Sequence, residues 1–111
     1  MKSFLELDLT ASIEKLQQFK LVDLNKFDSF LIETANHVYE IQECFEATRQ
    51  TLTASDRKAF IERLELIKDQ IGKLDDFLFK MEYDSHYLDR LNSILYPLAD
   101  DIDEELHNLS Q

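Results

Sequence analysis

The residue types that could do chemistry here are histidine, cysteine and carboxylate. The chain holds 3 His, one Cys and 23 acidic residues. Each histidine has a carboxylate three positions away: His37 with Glu40, His86 with Asp89 and His107 with Glu104. Residues at i and i+3 share a helix face, the spacing with which di-iron and di-manganese bundles hold their metals. Only His107 follows its carboxylate in the Glu-x-x-His order, and acidic residues are so frequent that such matches arise by chance. A bundle-core site also needs inward ligands. His86 and His107 project away from the apolar stripes of their helix, and His37 reads as a boundary residue beside Phe30 and Cys44. No native metal and no cofactor is expected.

Cys44 has no basic neighbour in sequence to lower its pKa, and Glu40 and Glu43 beside it raise it, so it is not expected to act as a nucleophile. One cysteine builds neither an internal disulfide nor a multi-thiolate zinc site. The one glycine, Gly72, excludes Walker loops, dinucleotide fingerprints and nucleophile elbows, each of which needs several glycines at fixed spacing. Nothing in the pattern picks out a pair of carboxylates for hydrolytic chemistry. The chain reads as a non-enzyme.

The elements that would carry any site are legible in the apolar spacing. Phe27, Leu31, Thr34, Val38, Ile41, Phe45, Thr48 and Leu52 follow alternating steps of four and three, as do Phe60, Leu64, Ile67, Ile71, Leu74, Leu78 and Met81. This is the heptad spacing of helices packed side by side. Leu88, Leu91, Leu95, Leu98 and Ile102 give a third stripe, extended by Leu109, and Leu9, Ile13, Leu16 and Phe19 a weaker one. Helices are predicted near 10–21, 25–51, 54–82 and 85–109. Thr10, Asn25, Thr53 (with Asp56 three on) and Asp84 or Ser85 are their candidate caps. Pro97 falls inside the last stripe and predicts a kink or a break. Leu5, Leu7 and Leu9 alternate with period two and read as an extended arm or a helix approach. The fold class is all-α: one domain over 1–111, an antiparallel bundle of three long helices plus a short N-terminal helix, with 25–51 and 54–82 forming a hairpin.

Several apolar residues fall outside these seams. Ile61 and Phe79 lie on one flank of the 54–82 helix, Leu66 and Phe77 on the other, so that helix is either central in the bundle or presents a partner groove. Ile32 and Tyr39 lie far around the 25–51 helix from its seam. They are covered by the first helix or form a dimer or partner surface. Tyr83 and Tyr96 also fall outside their seams, a placement found at interfaces and on ordinary surfaces.

Asp100, Asp101, Asp103, Glu104 and Glu105 crowd the end of the last helix, where like charges repel one another and oppose the helix dipole. A basic partner would relieve that cost; the alternative is a solvated tail. The run lacks the spaced ligands and turn glycine of a calcium loop.

Net charge is −11. Its field disfavours nucleic-acid phosphates and anionic membranes, and favours a basic protein partner. The N-terminal residues lack a signal-peptide core, no apolar stretch approaches the ~20 residues of a bilayer span, and the lone cysteine suits a reducing compartment, so a cytoplasmic location is expected. The functional expectation is a non-enzymatic, acidic protein-binding module of the inhibitor, immunity-protein, chaperone or adaptor kind. A self-assembling coiled-coil protein, such as a homodimer, is the alternative. A nucleic-acid mimic and a metal-carboxylate bundle enzyme are the less favoured readings.

Overall fold

The computed structural model describes residues 4–18, 24–80 and 85–109, the side chains of 24–26, 80 and 85–87 excepted. Phe19, Met81, Tyr83 and Asp84 lie outside the described residues, as do the side chains of Asn25, Ser85 and His86. A 3-10 turn, Phe4–Glu6, leads into α1 (Thr10–Gln17), α2 (Leu24–Gln50), α3 (Arg57–Lys80) and α4 (Ser85–Leu109). No strand occurs among the described residues.

Cross-helix ion pairs fix the directions. Arg90 reaches Asp28 at 2.9 Å and Arg49 faces Glu105 at 3.8 Å, so α4 runs parallel to α2. Lys68 pairs with Asp103 at 2.7 Å, and Arg57 donates to the Leu109 carbonyl, so α3 and α4 are antiparallel. The expected seams are the core: Phe27, Leu31, Val38, Ile41, Phe45, Phe60, Leu64, Ile67, Ile71, Leu74, Leu78, Leu91, Leu95, Leu98 and Ile102 are all buried. Thr34, the polar residue deepest in the α2 seam, is satisfied because its hydroxyl donates to Ser12 Oγ at 3.3 Å.

The hairpin expected of α2 and α3 is looser than a packed pair. Among the described residues their Cα atoms nowhere come within 8 Å. Helix α4 bridges them on one side and the N-terminal segment on the other. The arm is therefore a wall of the bundle. Phe4 is fully buried against the rings of Phe45 and Phe60, with centroids 5.7 and 5.3 Å away. The Phe45 and Phe60 rings themselves stack at 5.8 Å, so α2 and α3 meet through side chains where their backbones do not.

Three local expectations need correction. Helix α3 opens at Arg57 rather than 54, because Asp56 supplies the first helical carbonyl, to Phe60 N at 2.9 Å. Thr53 serves the turn before it, its hydroxyl donating to Asp56 Oδ2 at 3.0 Å. Helix α4 runs unbroken through the exposed Pro97, since Leu91, Leu95, Leu98 and Ile102 bury one continuous stripe across it. Thr10 does not cap α1 with its own side chain. Its backbone N–H donates to Asp8 Oδ1 at 3.0 Å, and its hydroxyl accepts from Gln70 Nε2 at 3.0 Å.

Candidate partner-binding surface

The acidic run belongs to a well-anchored helix. Leu106 and Leu109 pack against the core beyond it, and Arg57 holds the last carbonyl, so the run is not a loose tail. Its five carboxylates have three different fates. Asp103 pairs with Lys68 across to α3. Glu105, expected to meet a partner with the rest of the run, is only 8% exposed and is turned toward Arg49, so it is not free to do so. Asp100, Asp101 and Glu104 are exposed.

Arg49 is the cation at the centre of this region. It bonds Glu46 at 2.8 Å, faces Glu105, and lies over the Phe45 ring at 5.9 Å from its centroid. One guanidinium does not neutralise its surroundings. Partial burial and the charges of Glu46, Glu104 and Asp100 push Asp101 above the ordinary aspartate range, and Arg49 offsets this only in part. Asp101 on α4 therefore shares a local field with Glu46 on α2. One turn back on α2, Glu43 accepts a hydrogen bond from the Tyr39 hydroxyl, and that bond together with the Glu43 charge raises the tyrosine pKa. Tyr39, Glu43, Glu46, Asp101, Asp100 and Glu104 thus follow one another around the α2/α4 face.

The apolar candidates separate by place. Ile32 is 64% and Tyr39 62% exposed. Helix α1 does not cover them, because it lies on the other flank of α2, where Lys15 pairs with Glu33 and Ser12 meets Thr34. Phe79 is 76% and Tyr96 50% exposed, on α3 and α4. Phe77 is half-buried instead, lining a cleft of about 210 Å³ between α1 and α3 with Ile13, Leu16, Gln17, Lys73, Leu74 and Asp76. Of the other flank residues, Leu66 is exposed and Ile61 half-buried.

The groups with catalytic potential are dispersed. His37, expected at a boundary, is exposed, and so is His107. Cys44 is buried, and burial first, then Glu40 and Glu43, raises its thiol pKa, which keeps it protonated near neutrality. Among the described residues no group of three His, Cys, Asp or Glu side chains is placed to hold a metal ion. None of their helices is long and apolar enough to cross a membrane.

The chain matches no family model, no curated protein and no solved structure. Its function has to be argued from its own surface.

Sequence reasoning missed the residues that organise this surface and the arm. Arg49 was passed over because its role depends on Glu105 and Phe45, which lie on α4 and one turn back. Gln70 is buried, accepting from Leu9 N at 2.7 Å and donating to Thr10. Arg63 donates to the Leu7 carbonyl at 3.3 Å and faces Asp8 at 3.5 Å. The available signal was position: Arg63 and Gln70 lie seven apart on one edge of the α3 seam.

Proposed function

We propose that this chain is a non-enzymatic protein-binding module that takes a basic partner on its α2/α4 face. The observation that supports this is the concentration of exposed carboxylates around one guanidinium, next to an exposed tyrosine. Partial burial first, and then the charges of Glu46 on α2 and of Glu104 and Asp100 on α4, raise Asp101. Such a surface gains more from an incoming lysine or arginine than an isolated carboxylate does, because the partner removes repulsion as well as adding attraction. Tyr39 supplies a rigid amphipathic anchor of the kind enriched at interfaces. Association on this face is steered by charge, so its rate falls as salt screens the field.

The test compares two variants that each remove three negative charges. Asp100→Asn/Asp101→Asn/Glu104→Gln alters the α4 face, and Glu62→Gln/Glu65→Gln/Asp76→Asn alters exposed positions on α3. Both are used as bait at low salt beside the wild type. The reading expects one basic protein to be retained by the wild type and the α3 variant and lost by the α4 variant. Equal retention by all three baits, or no retained protein, contradicts it.

A further inference from the structure

Helix α3 carries a glycine that nothing inside the chain requires. Gly72 is the one glycine of the sequence and sits in the interior of a 24-residue helix, where glycine is a weaker helix former than alanine. A Cβ at that position would meet no atom within 4 Å, so no packing contact of this chain needs the side chain to be missing. What the glycine does is open the surface. A groove of about 550 Å³ passes over it between α3 and α4, with Leu106 beside it and Glu65, Lys68, Asp69, Lys73 and Asp76 around it. Phe79 lies seven residues on, two turns along the same face, and is 76% exposed.

The charge on this face singles out its occupant. The chain carries −11, yet α3 has six basic and five acidic residues and is net positive, while α2 has two against five and α4 one against six. Two copies therefore repel least where α3 meets α3. The face is also complementary to itself. Lys68 and Asp76 stand one turn before and one turn after Gly72, and both are exposed. When two α3 helices cross antiparallel at Gly72, a two-fold axis sets each Lys68 against the Asp76 of the other copy. We propose that the chain forms a weak two-fold dimer through α3, with the two Gly72 backbones meeting at the crossing. The missing side chains let the helix axes approach, Lys68 and Asp76 pair twice, and Phe79, two turns after Gly72, covers the stem of Glu65, two turns before it in the second copy. Lys68 already pairs with Asp103 at 2.7 Å, but an ammonium has three donors and serves both carboxylates. The contact uses none of the α2/α4 carboxylates and does not depend on the function proposed for them.

Sedimentation equilibrium of the full chain at about 0.1–1 mM tests this, because one helix crossing buries too little surface for a tight dimer. The wild type is expected to dimerise in that range. Gly72→Gln fills the gap with a good helix former, so its two readouts move in opposite directions: the melting temperature rises and dimerisation weakens about tenfold or more. Asp76→Lys removes negative charge from the chain and so lowers general repulsion, yet it faces Lys68 in the second copy and weakens the dimer by a similar factor. Lys68→Glu weakens it too, and an equal mixture of these two single variants associates again as the unlike pair, since each copy supplies the charge the other lacks. Lys68→Glu also breaks the pair with Asp103. If that variant does not fold, Gly72→Gln and Asp76→Lys, which leave the pair intact, decide the matter. A wild type that stays monomeric up to about 1 mM overturns the proposal. A dimer that Gly72→Gln and Asp76→Lys leave unchanged lies on another face and overturns it as well.

Discussion

At the scale of single residues, Arg49 and Asp101 set the electrostatics of the α2/α4 face. Asp101 sits above its ordinary range, first through burial and then through Glu46, Glu104 and Asp100. An acid whose folded pKa exceeds its unfolded pKa binds more protons when folded. Its ionisation therefore costs stability as pH rises through that window, and the cost is fully present at neutrality. Asp101→Asn is thus expected to raise the melting temperature at pH 7, by about 1–2 °C for a solvent-screened group. The gain vanishes below the ordinary aspartate range, and thermal melts at pH 7 and pH 3 check the sign. Arg49→Ala acts the other way. It leaves the buried Glu105 without its cation and removes the guanidinium over Phe45. A loss of about 1–2 kcal/mol in urea unfolding is expected. The sequence marked the carboxylates but not the arginine that gathers them, because Arg49 is ordinary in its own helix and significant only beside α4. It also listed Glu105 with its exposed neighbours, since adjacency in a charge run does not reveal which member faces inward.

At the scale of elements, three long helices were legible because their apolar residues recur every three and four positions. The ends of α4 agree with the prediction at Ser85 and Leu109. The arm was legible from Leu5, Leu7 and Leu9 only as an extended piece or a helix approach; its 3-10 turn was not, because 3 residues have no period to detect, and Phe4 drew no notice outside a helical stripe. Its weight follows from burial. Phe4→Ala is expected to cost about 3–5 kcal/mol, more than most single truncations, because the cavity opens beside two rings that remain stacked in place. Equilibrium denaturation measures this. Pro97 shows the opposite failing of local rules. It predicts a kink or a break, and the stripe from Leu91 to Ile102 carries α4 through it without a break. At this exposed position Pro97→Ala restores a helical N–H and is expected to stabilise by about 1–3 kcal/mol. An unchanged or lower midpoint would mean that α4 depends on the shape proline imposes.

At the scale of the whole molecule, the chain is a slab of 46 × 28 × 18 Å with a radius of gyration of 14.8 Å. A compact domain of this length is expected near 13 Å, and the excess follows from the long axis that helices of 24 to 27 residues impose. Two consequences follow for a body carrying −11. Self-repulsion opposes folding, and added salt up to a few tenths molar is expected to raise the melting temperature by a few degrees as the field is screened. The same field leaves the α2/α4 face able to attract a basic surface at a distance. Composition alone conveyed the sign of that field. The face itself was illegible, because it exists only where Glu46 and Asp101 are brought together across two helices. Hydrogen exchange on the chain bound to its captured partner tests the account most directly. Slowed exchange confined to the segments around Tyr39–Glu46 and Asp100–Glu104 is the predicted result. Slowed exchange on α3 around Glu62–Asp76, with the α2/α4 face unchanged, would contradict it.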